Sequence, residues 1–247
     1  MAKARLPEQT RQPAIRRSAG RPSIPPDRIV SAALQLVDKE SANALSMRAL
    51  AQHLDSGTAT LYRHFANRAE LVAHVVDLAF AEIELDTQEL TSARWQDAFR
   101  MLARSVFDVL SRHRGVAQLL LEFVPTGPNI MAQRERSIAI LLNHGFPPAL
   151  AARAYATLAR FVLGFALQPV DNETPGNGAQ QSAMFHKLDK SAFPATSAVA
   201  NSLPVAPEEE FSFGLELMIN GLNQLFESTR VVQRPLSTLE EKDAYMT

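Results

Sequence analysis

Residues 45–71 read LSMRALAQHLDSGTATLYRHFANRAEL, a helical hydrophobic period punctuated by caps and one sharp break. Ser46 is placed to cap a short helix with Leu50, Ala51 and Leu54 on its inner face. Asp55-Ser56-Gly57 interrupts that helix, and residues 58–64 read as a second short one. Asn67 with Glu70 three residues on resembles a capping box. It opens a long helix predicted to run to about Asp86, with Leu71, Val75, Leu78 and Ala79 as its buried stripe. Upstream, Ile29, Ala33, Leu36 and Val37 share one face of a helix predicted over 27–40, with Asp27 as N-cap. Two short helices a few residues apart, backed by a packing helix, predict a helix-turn-helix.

The outer face of the second short helix carries small hydrogen-bonding groups instead of a charged coat. Thr58, Ala59 and Thr60 are short enough for the backbone to approach base edges, where hydroxyls bond and methyls meet thymine. Tyr62, Arg63 and His64 fall at the rim, where phosphate contacts position such a module. Arg48 can reach a phosphate or a guanine edge, and Arg68 is placed for a phosphate. Any one of these is also an ordinary solvated side chain; the cluster carries the expectation of DNA binding. Charge supports it: the first 28 residues hold seven basic side chains against two acidic ones, whereas the whole chain is net −1. The five prolines in residues 1–26 predict a flexible basic arm. Arg21 either enters a minor groove or belongs to a tail that only adds salt-dependent affinity.

Beyond Arg94 the pattern stays helical, over about 94–112, 115–123, 129–144, 147–168 and 208–228, with no convincing strand and no repeat. The fold class is therefore all-α. The predicted order is an arm (1–26), a helix-turn-helix domain (27–72), a helical dimerisation and effector domain (73–228) with a mobile loop at 171–207, and a tail (229–247). In the last helix Phe211, Leu215, Met218, Leu222 and Leu225 line one side, while Phe213, Leu217, Gly221 and Phe226 lie elsewhere around it. A helix apolar on most sides is buried on several, which with the alanine-rich 147–168 segment suits a four-helix interface in a homodimer.

The stretch 28–71 resembles the DNA-binding domain of the TetR family of bacterial transcriptional regulators, above all in the signature Leu61-Tyr62-x-His64-Phe65-x-Asn67-Arg68-x-x-Leu71. The resemblance implies that Arg48, Thr58, Thr60, Arg63 and His64 face bases, with Tyr62 and Arg68 on phosphates. Ser41 and Asp55 stand where that family usually has glycine; normal turns are expected at both. LSRHRGVAQLLL, ARFVLGFALQ and FSFGLELMINGL look like segments of the tetracycline-repressor subgroup, whose C-terminal domain dimerises and encloses an inducer. In that subgroup three histidines and a glutamate on the fourth, sixth and eighth helices hold the drug and its magnesium. The matching positions here are Glu84, about Leu120, and Arg160 with Gln168, so magnesium-bound tetracycline is not the expected ligand. A largely apolar cavity is expected instead. Its candidate walls are Phe107, Leu120, Phe123, Phe161 and Phe165, and its candidate polar groups are Glu84, His113, Arg160 and Gln168. Arg160 suits a carboxylate or phenolate, or pairs with an internal acid; His113 is either a ligand group or a structural histidine.

The absence of cysteine excludes disulfides, thiolate metal sites and cysteine nucleophiles. Six histidines show no metal-ligand spacing, and no nucleophile–base pair or phosphate-cradling loop is visible, so neither an enzyme nor a cofactor is expected. No uncharged apolar run approaches the length of a membrane span. The expected partners are a double-stranded operator, a second copy of the chain and a small hydrophobic effector. The expected place is the cytoplasm, on the nucleoid when operator-bound. A regulator with no small-molecule input is the alternative, distinguishable by a solidly packed interior.

Overall fold

The computed structural model describes residues 24–122, 125–168 and 177–232. Among these, every regular element is a helix. Three helices make the N-terminal unit: α1 (Pro26–Glu40), α2 (Met47–His53) and α3 (Thr58–Tyr62). Pro26 starts α1 one residue earlier than expected, so Asp27 sits in the first turn instead of capping it, still favourable for the helix dipole. The Ser46 side chain caps α2 by accepting from Ala49 N at 3.1 Å, and Asn67 caps α4 (Arg68–Phe80) by accepting from Glu70 N at 2.9 Å. Ser41 and Asp55 both adopt positive φ, 110° and 46°, taking the backbone conformation that glycine usually supplies.

α4 ends six residues short of Asp86. Glu82, Glu84 and Asp86 put three negative charges where the helix dipole is itself negative, and the chain closes in tight turns from Phe80 to Ile83. Asp86 instead caps a helix that periodicity did not reveal, α5 (Thr87–Ser92). α6 (Trp95–Arg112), α7 (Arg114–Leu119), α8 (Pro128–Asn143) and α9 (Pro148–Ala166) follow the expected order. Residues 177–207, expected as part of one loop, instead hold α10 (Asn177–His186) and α11 (Pro194–Ala198). The last helix, α12 (Pro207–Val232), runs past its expected end.

α6 lies in the middle, burying Phe99, Leu102, Ala103, Val109 and Leu110 among α8, α9 and α4. α12 turns Phe211, Leu215, Ile219, Leu222 and Phe226 to this core. Phe107 stacks on Phe211 at 4.1 Å between centroids, and Phe146 stacks on Phe226 at 3.9 Å. Arg100 on α6 holds Glu216 on α12 at 2.6 Å, and that hydrogen bond keeps the Glu216 carboxyl below its ordinary range. α9 is long and apolar enough, by length and composition alone, to cross a membrane, although Arg153 and Arg160 interrupt its apolar run. Here it packs in the bundle through Leu150, Ala151, Leu158, Val162 and Ala166 while Arg153 and Arg160 are exposed.

Candidate nucleic-acid interface and the cavity behind it

α2 and α3 are held together by buried Leu50, Ala51, Leu61 and Phe65, and the turn between them closes through Ser56 N to Ala51 O at 2.8 Å. Packing thus uses only the inner residues. Arg28, Arg48, Thr58, Ala59, Tyr62 and Arg63 are left exposed, Tyr62 by 54 % although it is a large aromatic. A short helix that starts on threonines and ends on an exposed tyrosine, with arginines nearby, is a surface suited to phosphates and base edges. Thr60 and His64 are half-buried, and His64 Nε2 is enclosed without a hydrogen-bond partner. Arg21 lies outside the described residues.

Arg68 departs from expectation. Its guanidinium donates to Leu45 O at 2.8 Å and Ala42 O at 3.4 Å, and pairs with Glu122 at 2.7 Å. It fastens α4 to the α1–α2 corner and to the end of α7, so its charge is already neutralised within the chain. Arg68→Ala is expected to cost about 1 kcal/mol of stability, measured by denaturant unfolding, while leaving the salt dependence of DNA binding unchanged.

α7 fastens the N-terminal unit further. Gly115 lies so close to Val37 that a Cβ would collide with it, and Gln118 Oε1 accepts from Ala42 N at 3.3 Å. His113 places Nδ1 2.9 Å from Asp38 and Nε2 3.0 Å from Glu82. Burial opposes charge on Glu82, but hydrogen bonds from His113 and Arg112 outweigh it and lower its pKa. His113 is therefore a clamp between α1 and the end of α4, not a group in a cavity.

Behind this junction is a cavity of about 370 Å³ among α4, α6, α8 and α9, walled by Phe80, Leu102, Val106, Leu110, Ile130 and Leu163. Of the expected effector residues it takes Leu120 and Arg160. Phe161, Phe165 and Gln168 line a separate recess with Arg160, between α9 and the chain before α12. Phe107 is core, stacked on Phe211, and Glu84 is exposed beyond the early end of α4. Phe123 lies outside the described residues. Four polar residues of the cavity lining escaped sequence reasoning: Gln133, Arg134, Ser137 and Tyr155. The signal for Gln133 was its place in the inward stripe Ile130, Gln133, Ser137, Ile140 and Leu141.

A buried acid ties the cavity to α4. Asp77, 8 % exposed, accepts from Asn129 N at 2.8 Å, Ile130 N at 3.1 Å and Asn129 Nδ2 at 2.8 Å, capping the N-terminus of α8. Gly127 makes room for it, because a Cβ there would run into the Asp77 carboxylate.

Comparison with known proteins matches residues 29–75 to the family of bacterial regulatory proteins called tetR, and residues 89–226 to the tetracyclin repressor-like C-terminal domain. The HTH-type transcriptional repressor DrrR1 of Streptomyces coeruleorubidus is 26 % identical over 225 residues, covering 87 % of this chain and 83 % of the relative. The class E tetracycline repressor protein of Escherichia coli is 28 % identical over 198 residues, covering 80 % and 90 %. A crystal structure of the Streptomyces coelicolor TetR family protein ActR in complex with actinorhodin is 34 % identical, covering 81 % of this chain and 97 % of that one. ActR in complex with (S)-DNPA superposes with a TM-score of 0.72 at 33 % identity, covering 83 % and 99 %. The family and these relatives are regulators of transcription, not enzymes. With a helix-turn-helix in front and the matched helical domain behind it, the chain belongs to the TetR family of bacterial regulatory proteins.

Proposed function

We propose that this DNA-binding regulator is a homodimeric repressor, acting in the cytoplasm on a palindromic operator and released from it by a small hydrophobic effector. One observation carries the reading: a module with Arg48, Thr58 and Tyr62 exposed is fastened, through α4 and α7, to an apolar cavity of ligand size. The cavity counts against a regulator without small-molecule input, for which a solidly packed interior was expected. The complexes of ActR with actinorhodin and (S)-DNPA support the same assignment by similarity.

In this reading Arg48, Thr58, Ala59 and Thr60 meet bases, while Tyr62 and Arg63 meet phosphates. The exposed apolar strip of α12, beside α9, pairs with its symmetry mate, setting the two α3 helices about one DNA turn apart, ~34–36 Å. An effector filling the cavity displaces α8 and α7. Asp77 passes the shift of α8 to α4, while His113 passes that of α7 to α1 and Gln118 passes it to the turn after α1. A coupling of about 1–3 kcal/mol changes operator occupancy several-fold or more.

The test is selection of a binding sequence from random duplexes, followed by gel shift of wild type and Tyr62→Ala. Wild type is expected to select a two-fold symmetric site. Tyr62→Ala is expected to lose about tenfold or more in affinity while keeping the wild-type oligomeric state, since Tyr62 contributes little to the core. Retained affinity in the variant would displace Tyr62 from the interface, and failure to select any sequence would end the reading.

A further inference from the structure

Gln133 is 5 % exposed, lines the cavity, and has neither amide atom hydrogen-bonded. The neighbouring hydroxyl of Ser137 is already used, donating to the Gln133 carbonyl at 2.8 Å. The wall of an apolar cavity therefore holds a buried group with an unmet acceptor beside an unmet donor, both closed off from solvent as they stand. A primary amide presents these side by side, so its complement is an edge presenting a donor beside an acceptor. The cis N–H and C=O of a lactam form such an edge.

Among the described residues, charge in the cavity lining is of one sign. Arg134 is half-buried, donating from Nε to Tyr155 Oη at 3.1 Å with its guanidinium over the Tyr155 ring at 5.9 Å. Arg160 is exposed and donates to its own helix at Ala156 O, 3.3 Å away. Among the described residues neither guanidinium forms an ion pair with a carboxylate, and both line the cavity. The lining thus combines a buried neutral amide with two more exposed cations.

We propose that the effector of this cavity is an amphipathic aromatic acid bearing a lactam-like edge, which the Gln133 amide, turned into the cavity, pairs in two hydrogen bonds while Arg134 and Arg160 hold the acid. The proposal rests on the effector reading above and adds the ligand's chemistry. Recognition of a donor–acceptor edge by a buried amide discriminates strongly, because an analogue without that edge leaves the amide unpaired.

Calorimetric titration of the full chain with 2-quinolone-4-carboxylic acid, 1-naphthoic acid and neutral 2-quinolone tests it. The lactam acid is expected to bind about tenfold tighter than either single-feature probe. Gln133→Met, which keeps the volume and removes the amide, is expected to lower the lactam acid to the level of 1-naphthoic acid. The melting temperature of the ligand-free variant should be unchanged or raised, since an unpaired buried amide is removed. Equal binding of the two acids, no binding of the lactam acid, a preference that survives Gln133→Met, or a lowered melting temperature in that variant would each overturn the proposal. Gel shift of the selected operator separates the two claims. Selective binding without operator release upholds the ligand chemistry and fails the repressor reading, whereas release by 1-naphthoic acid with no lactam preference does the reverse.

Discussion

Leu217→Asp is expected to give a folded monomer that no longer holds an operator. Phe213, Leu217 and Leu225 are 65 %, 57 % and 58 % exposed, on the side of α12 opposite the core residues Phe211, Leu215, Ile219 and Phe226. They form a strip at helical spacing on a helix that packs against α9. Burying such side chains against a symmetry mate contributes roughly 1.5–3 kcal/mol each, and the strip occurs twice in a two-fold interface. An aspartate at its centre, again doubled by symmetry, opposes that burial with two unpaired charges. Because Leu217 makes no core contact, melting of the monomer should show intact helices. Operator affinity should fall by about 10²–10⁴-fold, since two half-sites are no longer engaged together. Sedimentation and gel shift read the two effects separately, and a dimer that persists in Leu217→Asp would place the interface elsewhere.

Asp77→Ala should be the most destabilising single change at the junction between α4 and α8. It leaves Asn129 N, Ile130 N and Asn129 Nδ2 without their acceptor at a largely buried helix start. About 3 kcal/mol is expected, a fall of roughly 10 °C in melting temperature for a chain of this size. If Asp77 also carries the motion of α8 to α4, the variant still binds operator below its melting point but releases it less completely when effector is added. Asp77→Asn separates the two: it can still accept hydrogen bonds, so it should recover part of the stability. A melting temperature unchanged in Asp77→Ala would show that water replaces the carboxylate there without cost.

The helix-turn-helix was legible because its determinants are local. Ser46 and Asn67 cap the helices they precede, and the apolar period of residues 50–61 chooses the inner face. What sequence reasoning missed depends on distant partners. Arg68 looks like a phosphate ligand until Glu122, 54 residues away, is seen to neutralise it. His113, a ligand group or a structural histidine by sequence, proves structural only when Asp38 and Glu82 are found on its two nitrogens. Glu84 was placed on a helix face that ceases to exist when α4 ends at Phe80. The short helices α5, α10 and α11 carry too few turns for a hydrophobic stripe to register. Gln133 was passed over because glutamine on an amphipathic helix is ordinarily a surface residue, and only the tertiary packing seals it in.

The contact between Gly127 and Asp77 also bears on how such a protein diverges. Any side chain at position 127 meets the acid, so the acid must go first; yet losing the acid first strands the donors of Asn129 and Ile130. Every single mutational step away from this pair passes through a less stable ancestor, which ties the histories of two positions 50 residues apart. Among descendants of this chain the two are expected to be inherited as a unit, or abandoned as one.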